Sequence, residues 1–99
     1  MLRHIVTWKM SGQTVEERES QAKEVVSVLS DLKDLVPTVK ALTVLRNELH
    51  ADKNWDVTLI ADFEDADGLE AYDRHPEHQE AAKIVRRHAS DRAAVDATI

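Results

Sequence analysis

Apolar and polar residues alternate through LRHIVTWK, residues 2–9. Leu2, His4, Val6 and Trp8 fall on one side of a strand, and Arg3, Ile5, Thr7 and Lys9 on the other. Ser11-Gly12 ends that pattern. The period then becomes helical. Ala22, Val25, Val26, Leu29, Leu32 and Val36 form one stripe, opposite Glu16, Glu19, Lys23, Ser27 and Ser30. Thr14 and Glu17 have the spacing of a capping box, and Pro37 stops the helix. Strand-like runs return at roughly 39–48 and at 55–63, separated by a polar loop from His50 to Asn54. The second run puts Trp55, Val57, Leu59, Ala61 and Phe63 on one face. Asp65 or Asp67 then caps a short helix that reaches Tyr72 and Asp73. Pro76 suits the first turn of a second helical piece, 76–88. Residues 92–99 read as a last strand, with Ala93, Val95, Ala97 and Ile99 on one side.

The order β-α-β-β-α-β predicts an α+β fold of the ferredoxin-like kind, with a four-stranded antiparallel sheet and helices on one face. Ninety-nine residues suit a single domain, 1–99. The face away from the helices still carries Ile5, Ile60 and either Leu45 or Val44, according to register. A solvated face would be more polar. A second copy packing sheet against sheet is the simplest cover, so a homodimer is expected.

Charge and composition narrow the function. A net charge of −6 disfavours nucleic acid, which needs a concentrated basic surface. The run Lys83-Ile84-Val85-Arg86-Arg87-His88 falls late in a predicted helix, where cations suit the negative end of the dipole. No apolar run approaches the ~20 residues of a membrane span. With no cysteine and no signal-like N-terminus, a cytoplasmic location is expected.

The most unusual segment is Tyr72…His75-Pro76-Glu77-His78. His75 stands at an N-cap position before Pro76, which gives that pair a structural role. A metal reading of His75-x-x-His78 is weak: zinc wants at least three protein ligands, and the chain has neither HExxH nor cysteine. No metal and no cofactor are expected.

Together, RHIVTWK, Pro37, ADFEDADGLEAYDRHPEH and the late Arg92…Val95-Asp96 resemble the stress-responsive dimeric α/β-barrel (Dabb) family along essentially the whole chain. The resemblance implies a ferredoxin-like protomer, a dimeric α+β barrel, and a cavity between sheet and helices. One plant branch of the family consists of polyketide cyclases of the olivetolic acid cyclase type. There the residues matching Tyr72 and His78 are the catalytic pair, and the one matching His4 shares the pocket. The chain departs from that branch in being poor in aromatics, at 4%. Cofactor-free monooxygenases and haem-degrading enzymes share the architecture, but none of their motifs is present.

Helical spacing puts His78, Ala81, Ala82, Val85 and Ala89 on one face. Tyr72, His78 and His4 are therefore expected to converge on a cavity lined by Val6, Trp8, Val25, Leu29, Leu59 and Val85. Histidine supplies a base near neutral pH, and a tyrosine hydroxyl supplies a donor where enolate charge develops. Three functions follow. One is a stress-associated protein that binds a small apolar or carbonyl-bearing molecule. Another is an aldol-type lyase or cyclase with His78 as base and Tyr72 as donor. The third is a purely structural dimer whose cavity is filled by its own side chains, His78 merely fixing the angle between two helices. An open cavity touching both residues separates the first two from the third.

Overall fold

The computed structural model describes residues 1–99. The chain runs β1 (Leu2–Met10), α1 (Val15–Ser30), α2 (Leu32–Leu35), β2 (Ala41–Arg46), β3 (Val57–Phe63), α3 (Ala66–Arg74), α4 (Pro76–His88) and β4 (Ala89–Thr98). The four strands form one antiparallel sheet in the order β2-β3-β1-β4. The expected ferredoxin-like protomer is therefore present.

Local chemistry sets the boundaries. Thr14 caps α1 by accepting a hydrogen bond from the Glu17 amide, and the Glu17 carboxylate accepts from the Gln13 amide rather than from Thr14's own. Thr14→Ala should therefore cost about 1 kcal/mol in urea unfolding. Gly12 lets the chain turn tightly onto α1. A Cβ there would lie 2.8 Å from Glu17 Cβ and 2.9 Å from the Arg18 nitrogen. Asp65, not Asp67, caps α3 through the Gly68 amide. His75 caps α4 by accepting from the Glu77 amide, with Pro76 at the first helical position.

Several expected boundaries move. The first helix does not run unbroken to Val36; it divides at Asp31, although Leu29, Leu32 and Val36 remain buried on one stripe. β2 and β3 are shorter than 39–48 and 55–63, and half-buried Trp55 precedes β3. β4 begins at Ala89 rather than Arg92, because the chain leaves α4 directly into pairing with Met10.

The inner face supplies the core. Val6, Met10, Val57, Leu59, Ala61 and Phe63 pack against Ala22, Val25 and Leu29 of α1 and Ala81 and Val85 of α4. The outer face carries three rows that cross all four strands. They are Ala41–Asp62–Arg3–Ala97, Thr43–Ile60–Ile5–Val95 and Leu45–Thr58–Thr7–Ala93. Register thus settles the open choice: Leu45 faces outward and Val44 lies opposite Leu59 on the inner face. No helix is long and apolar enough to cross a membrane.

Candidate functional site

α3 and α4 meet at the His75-Pro76 corner, which sets Tyr72 and His78 side by side. Tyr72 is buried with 1% of its surface exposed, packed on Phe63 with ring centroids 5.1 Å apart. The His78 ring lies 4.4 Å from the Tyr72 ring. His78 Nδ1 lies 3.1 Å from the Asp73 carbonyl oxygen. A carbonyl only accepts, so Nδ1 carries the hydrogen and Nε2 is left with its lone pair when the ring is neutral. His78 does not hydrogen-bond His4 or Tyr72. His4 instead places Nδ1 against the Asp96 carboxylate across the β1–β4 pair, its ring 6.5 Å from Tyr72 and edge-on to it.

These groups share a cavity of ≈ 220 Å³. Of the residues expected on its wall, His4, Val6, Trp8, Leu29, Leu59 and Val85 are there with Tyr72 and His78. Val25 is not. It is fully buried in the core, with no surface on the cavity. The cavity is open, not filled by the protein's own side chains. The Tyr72 hydroxyl makes no hydrogen bond within the chain, yet no fully buried side-chain oxygen or nitrogen lacks a partner. The hydroxyl must therefore keep accessible surface, and the cavity supplies it.

Burial shifts both groups. Loss of solvent pushes the Tyr72 hydroxyl pKa well above the ordinary tyrosine value, and the neighbouring Asp73 charge adds to the effect. It stays protonated across the physiological range. Loss of solvent also lowers the His78 pKa below its ordinary 6.5. The Asp73 charge and carbonyl partly oppose this, and His4 and Arg86 reinforce it. His78 is therefore neutral at pH 7.

The remaining wall is Asp73, Ala82, Arg86 and Arg92. The two arginines were not expected there. The signal for Arg86 was available, since His78, Ala82 and Arg86 follow one another at four-residue spacing. Arg92 reaches the cavity through its pairing opposite Trp8, which depends on a register that the sequence does not specify. His75 uses Nδ1 in its cap and stays outside the cavity. No cluster of three His, Cys, Asp or Glu side chains suited to a metal ion is present.

Known proteins share this fold. A dimeric ferredoxin-like protein of unknown function from Bacteroides fragilis superposes with a TM-score of 0.88 at 26% identity, over 99% of this chain and 95% of that one. A second dimeric ferredoxin-like protein of unknown function, from Thermobifida fusca YX, gives 0.84 at 28%, over 99% and 90%. A hydroxynitrile lyase from Passiflora edulis gives 0.79 at 16%, over 99% and 92%. A search of curated proteins gives no match. The model of the stress responsive A/B barrel domain family, Dabb, matches residues 2–99, and this chain belongs to that family.

Proposed function

We propose that the protein binds a small carbonyl compound between sheet and helices and moves a proton on it. The observation that carries this reading is that Tyr72 and His78 line one cavity, with neither the Tyr72 hydroxyl nor His78 Nε2 bonded to any protein group. His78 Nε2 takes a proton from the carbon next to the carbonyl. The Tyr72 hydroxyl donates to the oxygen on which enolate charge develops. The carbanion forms a carbon–carbon bond to a second carbonyl, and the resulting alkoxide takes its proton back from His78. Run in reverse, the same steps cleave that bond. This is aldol-type lyase or cyclase chemistry, and the lyase from Passiflora edulis is an example of lyase activity on a related fold. At ≈ 220 Å³ the cavity falls below the ~300 Å³ at which drug-sized pockets begin, which favours a short substrate over a long polyketide.

Deuterium exchange next to the carbonyl of small ketones, followed by proton NMR, tests this. His78→Ala should slow the catalysed exchange by about 10²–10⁴-fold. A wild-type protein that exchanges no ketone above background, or a variant as fast as wild type, sinks the proposal. The pH profile is a further check. The rate should rise with pH as His78 loses its proton, with its midpoint below the ordinary 6.5. Stability has the same origin. With a depressed folded pKa, the neutral ring's contribution is intact above 6.5 and is lost as pH falls, because the unfolded chain binds the proton more readily. His78→Ala should flatten that part of the urea-unfolding profile.

The working unit in this reading is a cytoplasmic homodimer joined through the outer sheet face. Leu45 and Val95 there are 51% and 62% exposed in the protomer. Most polar groups among these rows are already paired within the sheet: Arg3 with the Asp62 carboxylate, and the Thr7 hydroxyl with that of Thr58; the Thr43 hydroxyl, at the β2 edge, is the exception. Such a face can be covered with little loss of hydrogen bonding. The Bacteroides and Thermobifida relatives, both dimeric, support the assembly.

A further inference from the structure

We infer that the compound bound in this cavity carries a carboxylate at the end remote from its carbonyl, held between Arg86 and Arg92. The inference rests on the carbonyl-binding reading above and names its substrate class.

The cavity has two chemically different ends. Along β1 the inward residues are His4, Val6 and Trp8, facing Asp96, Ala94 and Arg92 of β4. β1 and β4 therefore carry His4 and Asp96 at one end, an apolar middle, and Trp8 and Arg92 at the other. Four residues of strand separate the ends by roughly 13 Å along the backbone. α4 lies over them in the same sense. His78 stands near Tyr72 and His4, and Ser11, just past β1, bonds the His88 carbonyl at the far end of the helix. The Arg86 backbone is two turns beyond His78 on the same row, over the Trp8–Arg92 end, although its side chain leans back along the helix and its charge still reaches His78.

Both guanidiniums lack a partner. Arg3, Arg18 and Arg74 each pair with a carboxylate; Arg46, Arg86, Arg87 and Arg92 make no ion pair and no side-chain hydrogen bond, and of these four only Arg86 and Arg92 line the cavity. Two unpaired arginines, one from a helix and one from a strand, thus converge on one cavity end in a protein of net charge −6. Forked guanidiniums match a carboxylate well. The cavity's one carboxylate with its own pull on the site, Asp73, adjoins Tyr72 at the opposite end and repels an anion there. A linear ligand is therefore oriented: carbonyl to Tyr72 and His78, aliphatic segment over Val6 and Leu59, carboxylate to the arginines.

Titration calorimetry on the full chain, with 6-oxoheptanoate and its methyl ester, tests the assignment. Wild type should bind the acid at least about tenfold tighter than the ester, with the advantage shrinking in high salt. In the R86Q/R92Q variant, checked for an unchanged circular dichroism spectrum and melting curve, acid and ester should bind alike. Equal binding of the two by wild type, or an acid advantage that survives in the variant, overturns the assignment. Deuterium exchange of the same compounds separates it from the proton-transfer reading. Exchange of both without an acid preference removes the carboxylate clamp alone. A preference erased in R86Q/R92Q, with no exchange, leaves the clamp standing and removes the catalysis.

Discussion

Ile60→Asp should turn the proposed homodimer into a monomer. Ile60 is central in the row Thr43–Ile60–Ile5–Val95, in the middle of the uncovered sheet face. Two-fold symmetry presents the substitution twice, so two carboxylates would be taken from water on a face whose one cation among the three rows, Arg3, is already paired with Asp62. Each costs several kcal/mol, enough together to raise the dimer's Kd at least ~10³-fold. Light scattering after size exclusion should show half the wild-type mass. Val15→Asp, at an exposed position on the helical side, is the control and should stay dimeric. A dimeric Ile60→Asp protein would mean that the subunits meet elsewhere. Protomer stability should also become independent of protein concentration in the variant, because the linkage to assembly is removed.

Asp56→Ala should be the most damaging single change to the protomer itself. The Asp56 carboxylate is buried and accepts from the Met10 amide at 2.7 Å and from Arg18 Nε and Nη2 at 3.1 and 2.8 Å. Arg18 also donates to the Ala51 and Asn54 carbonyls. One ion pair thereby ties the end of β1, the first turns of α1 and the loop before β3. Removing the carboxylate leaves a largely buried guanidinium and a buried amide without their acceptor. Breaking such a pair costs about 3–5 kcal/mol, a large part of the ~5–15 kcal/mol that holds a domain folded. At about 4–8 °C per kcal/mol, the melting temperature should fall by at least ~12 °C. The double variant with Arg18→Ala should lose less than the sum of the singles, since the two side chains act as a unit. Additive losses would show that the pair has no coupling.

Asp56 also shows where sequence reasoning stops. Its partners Met10 and Arg18 are 46 and 38 residues away, and no local pattern links them. In the sequence it reads as one more polar residue at the start of a strand. Features that depend on near neighbours were legible: the Thr14 cap, the His75-Pro76 corner, and the helical stripe from Ala22 to Val36. The meeting of Tyr72, His78 and His4 was legible because strand alternation and helix period each point inward. The bond of His4 to Asp96 was not, because it needs the β1–β4 register over a separation of 92 residues. Val25 was misplaced for a related reason. Periodicity tells which face of α1 turns inward, but not which inward residues meet the cavity and which meet only core. Arg92 was hidden by the same register, and the proposed carboxylate-binding end of the cavity with it.

The sheet leaves no face idle. In β1, His4, Val6 and Trp8 belong to the cavity, while Arg3, Ile5 and Thr7 belong to the outer rows. Adding or losing one residue in this strand would reverse the two sets. The histidine would turn to the outer face and the arginine toward the core, so the proposed ligand site and the proposed assembly would fail in a single event. Relatives that keep both the proposed site and the proposed assembly should therefore vary side chains in β1 more readily than its length. Insertions should gather instead in the polar loop around residues 50–54, where neither face is at stake.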